Sequence, residues 1–92
     1  MNEEKLDAAL EERFGGTAAQ RRVVVRQAGD LAATGRPQAD RGVALTVDVV
    51  VDNLADAPVR STLPERWNWW MGALEVAYGG YRQFQITAVP GE

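Results

Sequence analysis

The side chains that most often carry out acid–base, nucleophilic or metal chemistry are scarce in this chain. Its 92 residues include no histidine and no cysteine, which removes the commonest general base, the commonest metal ligand and any thiolate nucleophile. The single lysine, Lys5, has no sequence pattern that would pair it with an activating group. We therefore expect no catalytic residue, no cofactor and no small-molecule substrate, and we predict that the protein is not an enzyme.

One set of carboxylates has a spacing that could bind a metal ion. Asp48, Asp52 and Asp56 recur every four residues, so on a helix they would share one face, and carboxylate oxygens bind hard cations such as Ca²⁺. No calcium-loop pattern surrounds them, however. A solvated acidic face that carries the formal net charge of −3 explains the spacing better, and we expect no metal site.

Arginines are the second group that could bind a ligand, in this case the phosphates of a nucleic acid. They cluster where two helices are predicted to begin, at Arg21, Arg22 and Arg26 and at Arg60 and Arg66. Asn68 follows in the second of these helices and could contact a base edge. Against this, a pI of about 4.9 does not give the basic footprint of a nucleic-acid-binding domain.

The most unusual stretch is residues 65–75, Glu-Arg-Trp-Asn-Trp-Trp-Met-Gly-Ala-Leu-Glu, which holds all three tryptophans. At helical spacing the apolar side chains of this region divide between two faces. One face carries Trp67, Trp70, Met71, Leu74, Ala77 and Tyr78, and the other carries Trp69, Ala73 and Val76. We interpret Trp67 and Trp70 as residues of the core.

The second face of this helix is the predicted partner-binding site. A helix that is apolar on two sides is either enclosed by its own domain or shared with another chain, and tryptophan is enriched at the energetic centres of protein interfaces. Trp69, Ala73 and Val76 are therefore the predicted contact residues, and Gly72 is small enough to let another backbone come close. The partner would be another protein or a second copy of this chain.

Four helices are predicted to position these groups, over residues 2–14, 17–34, 47–57 and 62–78. Asn2, Thr17, Thr46 and Thr62 are suitable N-caps, and Thr17 with Gln20 matches a capping box. Glycines that suit helix C-termini follow the first, second and fourth helices. The composition of residues 35–42, rich in Gly, Pro and polar side chains, predicts a loop.

Two short strands complete the predicted fold. Residues 81–88 alternate between apolar and polar types, and residues 43–45 are their natural partner in a two-stranded sheet. The stretch 43–57 is ambiguous, since its valines alternate as in a strand but also recur at helical spacing. The expected class is mainly α (α+β), a single domain over 1–92, with an order of elements that resembles a winged helix.

Two functions follow as hypotheses. The first is a non-enzymatic protein-interaction module, homodimeric in one version, that uses the Trp-rich helix. The second is a winged-helix-like DNA-binding transcriptional regulator that uses the arginines. The acidic amino terminus lacks the apolar region of a signal peptide, and no apolar run approaches the ~20 residues of a membrane span, so we expect a cytoplasmic protein.

The Trp-rich run at 65–84, together with the preceding Leu-Thr-Val-Asp-Val-Val-Val-Asp-Asn-Leu-Ala-Asp-Ala-Pro at 45–58, resembles a family of small haloarchaeal proteins that share the Glu-Arg-Trp-Asn-Trp-Trp sequence. The resemblance covers residues from about 20 to 86. It implies a salt-adapted cytosol, with which the bias of nine arginines to one lysine agrees. It implies no activity, so no functional residue is carried over from it.

Overall fold

The computed structural model describes residues 1–91, which contain five α-helices and one short 3₁₀ helix. They are α1 (Glu3–Phe14), α2 (Ala18–Thr34), α3 (Arg36–Arg41), α4 (Val47–Ala55), α5 (Leu63–Tyr78) and the 3₁₀ helix Arg82–Phe84. In this part of the chain, no helix combines the length and the apolar character needed to cross a bilayer.

Side-chain caps fix the starts of the four predicted helices. The Asn2 carboxamide accepts a hydrogen bond from the Lys5 N–H at 3.0 Å, and Thr46 caps α4 in the same way. Thr17 and Thr62 each form a complete capping box with the residue three positions on. The predicted N-termini of all four helices are therefore confirmed to within one residue, because these caps satisfy N–H groups that no helical carbonyl can reach.

Helix α5 is the centre of the fold. It packs against α2, α4 and the 3₁₀ helix, while α1 packs against α2 and α4. Trp67 is fully buried and Trp70 nearly so, and their rings meet edge to face with centroids 5.6 Å apart. The prediction that Trp67 and Trp70 belong to the core is confirmed. The same side of α5 also buries Leu63, Met71 and Leu74.

The predicted two-stranded sheet is wrong, and with it the α+β class and the winged-helix-like order. Residues 43–45 and 81–88 form no strand, and residues 1–91 contain none elsewhere. The alternation at 81–88 does mark a segment with one apolar side, since Phe84 and Ile86 are buried while Gln83 and Thr87 are exposed. The backbone of this segment bonds to side chains of α5, which removes the need for a second strand.

The predicted loop at 35–42 is also wrong, because most of it forms helix α3. Gly35 has a φ of 70° and ends α2, and its carbonyl accepts the N–H of Ala39 as α3 begins. Pro37 occupies the first turn of α3, where a missing N–H costs nothing. The signals that predicted a loop therefore mark a tight junction between two helices. The ambiguous stretch that follows is helical from Val47 to Ala55.

Candidate functional site

Trp67 and Asn68 hold the C-terminal segment against α5. The indole Nε1 of Trp67 donates a hydrogen bond to the Phe84 carbonyl at 2.7 Å. The Asn68 carboxamide donates to the Ile86 carbonyl at 2.8 Å and accepts from the Ile86 N–H at 2.7 Å. An asparagine that satisfies both polar groups of one residue replaces the two bonds that a neighbouring strand would supply. Both side chains therefore stabilise the fold through contacts within the chain.

Trp70 has a structural role as well. It lies against Trp67 in the core, and the guanidinium of Arg41 lies 5.7 Å from the centroid of its ring, an arrangement that a cation and an aromatic face favour. The Nη1 atom of Arg41 is buried without a hydrogen-bond partner among the described residues. Contact with the ring offsets part of the cost of that burial, so Trp70 helps to hold α3 in place.

Trp69 lies on the opposite side of α5, where 41% of its surface is exposed. Ala73 is exposed on the same side, Val76 is 90% exposed, and Gly72 is half-buried between them. Ala77 and Tyr78, which the helical spacing predicts on the core face, are exposed as well, so that part of the prediction is wrong. We call this set the outer strip: Trp69, Gly72, Ala73, Val76 and Ala77. The predicted partner-binding residues Trp69, Ala73 and Val76 thus lie together, since positions three and four apart in a helix share a face.

The outer strip is unusual because it contains no charged or polar side chain over more than two helical turns. The solvent-facing side of a surface helix is ordinarily polar. The charged residues near the strip point elsewhere. Glu75 accepts a hydrogen bond from the Tyr81 N–H at 2.8 Å, which lowers the pKa of its carboxyl group. Arg66 folds back towards α4. A continuous exposed apolar surface of this kind marks an interaction site more often than a plain surface.

Gly72 occupies the middle of the outer strip. A Cβ atom built at this position meets no other atom within 4 Å, so nothing inside the chain requires a glycine there. Glycine nevertheless costs a helix interior about 1 kcal/mol relative to alanine. No contact within the chain therefore explains why position 72 is a glycine. Gly80 differs, because there the guanidinium of Arg36 occupies the space that a Cβ would take.

A polar cluster ties α3 to the end of α5. The Arg36 guanidinium donates to the Gly79 carbonyl at 2.8 Å and to the Gly80 carbonyl at 3.1 Å, and it lies 5.1 Å from the centroid of the Tyr81 ring. The Tyr81 hydroxyl donates to Asp40 at 2.8 Å. Burial of the hydroxyl and its bond to Asp40 raise the pKa of Tyr81 to about 12. All of these groups are satisfied by one another, which is the pattern of a structural cluster.

Three residues of the predicted nucleic-acid site are engaged within the chain. Arg21 forms ion pairs with Asp7 and Glu11, each at 3.1 Å. Arg66 donates to the carbonyls of Leu54 and Val59, both at 3.0 Å, and lies 4.9 Å from the centroid of the Phe14 ring. Asn68 binds the backbone of Ile86, as described above. Arg66 thereby closes the C-terminal end of α4, and all three side chains have partners within the chain.

The other predicted arginines are exposed but in mixed surroundings. Arg22 and Arg26 line an open groove of about 580 Å³ between α1 and α2, together with Arg21 and the carboxylates of Glu3, Glu4, Asp7 and Asp30. Four carboxylates beside three arginines cancel the positive potential that phosphate binding requires. Arg60 is exposed in the connection between α4 and α5. The structure therefore brings Arg21, Arg22 and Arg26 together but gives them acidic neighbours.

Asp48, Asp52 and Asp56 are exposed along α4 and at its end. Within residues 1–91, no three side chains of the types that bind metals come close enough together to hold an ion. The buried side of the same helix carries Val50, Val51 and Leu54. The acidic spacing therefore follows from the helical period, with apolar residues inside and carboxylates in water.

Residues 1–91 form a small all-helical domain in which one side of α5 is exposed and carries no charged side chain. The chain belongs to the WNWW domain family, which it matches over residues 1–75. The matched region includes Trp67, Asn68, Trp69 and Trp70 and ends before the segment that Trp67 and Asn68 hold. No curated protein and no solved structure matches the chain.

The internal roles of Asn68 and Arg66 had no signal in the sequence. Both are polar residues in a predicted helix start, a pattern equally typical of a solvated or ligand-binding face. Their partners are backbone groups at Leu54, Val59 and Ile86, and backbone partners leave no mark on residue type.

Proposed function

We propose that the protein is a non-enzymatic interaction module of the cytoplasm, and that the outer strip of α5 binds a protein partner. One observation carries the proposal. Of the four residues Trp67 to Trp70, three make defined contacts inside the chain, whereas Trp69 is 41% exposed at the end of an uncharged helix face. A large aromatic side chain next to small residues is the kind of anchor that dominates binding energy at interfaces.

The test places a photo-reactive benzophenone amino acid at position 69 of the full chain. Irradiation in cells should give a discrete adduct, because the strip would be covered by its partner. Ala8, exposed on α1, provides the matched control position, and it should give none. Equal labelling from both positions, or no adduct from position 69, would refute an interaction through the strip.

The salt-adapted, haloarchaeal setting belongs to this proposal. It is supported by the nine arginines to one lysine and by the excess of thirteen acidic over ten basic residues. At ~1 M salt the Debye length is only ~3 Å, so exposed charges attract a partner weakly and an apolar strip keeps its effect. Adduct formation from position 69 should therefore persist or increase as KCl rises, and a steep loss would contradict this setting.

A DNA-binding regulator is the weaker alternative. The winged-helix order that motivated it is wrong, because residues 1–91 contain no strand. In addition, Arg21, Arg66 and Asn68 bind groups of their own chain. It now depends on Arg22, Arg26 and Arg60. Mobility-shift titration with duplex DNA at low salt tests it, and affinity that falls when Arg22 and Arg26 are replaced by alanine would favour it over the interaction module.

A further inference from the structure

We infer that Trp67 and Asn68 form a binding site for an extended peptide, and that the C-terminal segment, residues 80–91, occupies this site as a tethered ligand. The site does not include Trp69, so the inference goes beyond the proposed function and does not rest on it. It follows from the way the segment is bound, from the helices that close without it and from the hinge that joins it to α5.

Side chains, rather than other backbone groups, hold the backbone of the segment. Within residues 1–91, no backbone–backbone hydrogen bond joins residues 81–86 to a helix. The Phe84 carbonyl instead accepts from the Trp67 indole at 2.7 Å, and both polar groups of Ile86 bond to the Asn68 carboxamide. Bonds to main-chain groups bind a peptide without reading its sequence, and pockets for alternate side chains then give specificity.

Two side chains, two positions apart, anchor the segment. Phe84 and Ile86 are buried, whereas Gln83 and Thr87 are exposed. Gln85, between the two anchors, has an extended backbone with φ −68° and ψ 147°, and in extended backbone residues two apart lie on the same side. The site therefore selects an extended peptide in which an aromatic residue is followed, two positions on, by an aliphatic residue.

The helices enclose one another without the segment. Helix α1 packs against α2 and α4, and α5 packs against the same two helices, so the four form a closed ring. The 3₁₀ helix of the segment packs against α5. Residues 1–75, which match the family, include Trp67 and Asn68. The site thus lies within the matched region, and its occupant lies outside that region.

Two glycines form a hinge between α5 and the segment. Gly79 has a φ of 75° and Gly80 a φ of 82°, a region of backbone conformation that glycine adopts readily. Such residues can absorb the change in backbone angles as a segment moves as a unit. The Arg36 guanidinium bonds to the carbonyls of both glycines, at 2.8 and 3.1 Å. Arg36 therefore fastens the hinge, and its removal should free the segment more often.

Amide hydrogen exchange of the full wild-type chain tests whether the segment leaves as a unit. The amides of Phe84, Gln85 and Ile86 are hydrogen-bonded. They should exchange together, about 100-fold or more faster than amides in the middle of α2 and α5. Arg36→Ala should speed the exchange of these three amides more than that of the helix amides. Exchange as slow as in the helix interiors would mean that only global unfolding releases the segment, and it would overturn the inference.

A fluorescent synthetic peptide of residues 79–91 tests the site itself. The tethered segment competes at an effective concentration on the order of 1 mM, so wild type should bind the peptide weakly. Phe84→Ala combined with Ile86→Ala loosens the tethered segment, and this double variant should bind the peptide about tenfold or more tightly than wild type does. Adding Asn68→Ala should weaken that binding about tenfold. Gln38→Ala, which removes an exposed carboxamide on α3, should leave it unchanged.

The same peptide covers the case in which the double variant unfolds. A ligand that binds only the folded chain shifts the equilibrium towards it, so the peptide should restore the helical circular dichroism. A control peptide carrying Phe84→Ser and Ile86→Ser should neither bind nor restore it. The inference fails if the wild-type peptide does neither, if both peptides act equally, or if Asn68→Ala leaves the affinity unchanged. None of these results bears on the outer strip, so they leave the proposed function to its own test.

Discussion

Replacing Gly72 by alanine should make the isolated chain more stable. A Cβ at this position meets no atom within 4 Å, and the residue lies in the interior of α5, a helix of 16 residues. Alanine loses less backbone entropy on folding than glycine does. Because the space is empty, the full difference in helix propensity should appear, about 0.8–1.0 kcal/mol in the free energy of unfolding.

For a domain of this size, a gain of 1 kcal/mol corresponds to a rise of about 4–8 °C in the midpoint of thermal unfolding. Urea and thermal unfolding followed by circular dichroism would measure both quantities. The measurements belong at about 1 µM, a concentration low enough that binding of the chain to any partner contributes little to its stability.

Gly29→Ala in α2 is the matched control. The gain in helix propensity is the same, but the new Cβ would lie 2.6 Å from the Glu3 carboxylate, so that side chain must move. We expect a smaller gain than at Gly72. If Gly72→Ala left the stability unchanged or lowered it, the position would have an internal role in the fold, and the case for an outside partner at Gly72 would be lost.

Three further substitutions test the contacts described above. Asn68→Ala leaves the Ile86 N–H and carbonyl without partners, so the free energy of unfolding should fall by about 1–3 kcal/mol and the Ile86 amide hydrogen should exchange faster. Exchange as slow as in wild type would contradict the role of Asn68 in holding Ile86. The pKa of Tyr81 is higher in the folded chain than in the unfolded chain. The stability that its hydroxyl contributes to folding is therefore complete below the ordinary pKa of 10.0 and is lost as pH rises towards the folded pKa of about 12. Between these pH values, the free energy of unfolding measured in urea should fall more steeply for wild type than for Tyr81→Phe. The hydrogen bond from the Thr62 N–H lowers the pKa of Glu65. The stability that the Glu65 carboxylate contributes to folding is therefore present above the ordinary pKa of 4.5 and is lost as pH falls through the lower folded pKa. Glu65→Gln should reduce the slope of stability against pH in this range, and an unchanged slope would argue against the capping box.

The first residues of α1, α2, α4 and α5 could be predicted from sequence because local chemistry determines them. Thr17 and Thr62 each cap a helix through a contact three residues away, and such a contact depends on few other parts of the chain. The same holds for the inner face of α5, where the positions of Trp67 and Trp70 follow from the helical period. These predictions needed no knowledge of which elements lie next to one another.

The missing sheet shows where local reasoning fails. The alternation at 81–88 correctly predicted that Phe84 and Ile86 would be buried, although Tyr81, on the other side of the pattern, is buried too. Period-two burial does not specify the partner of the backbone. That partner is the pair Trp67 and Asn68, 17 and 18 residues earlier in the chain. For the candidate site, the sequence predicted that Trp69 lies apart from the core face, and the exposure of the whole strip needed the tertiary structure.

The division of the three tryptophans also gives the protein a built-in optical probe. Trp67 is fully buried and Trp70 almost fully, whereas the side chain of Trp69 is partly exposed to water. A water-soluble collisional quencher should therefore reach one indole in three while the chain stays folded. Any molecule that covers the strip would protect that indole as well, so binding could be followed by the loss of quenching in the unmodified chain, without a label.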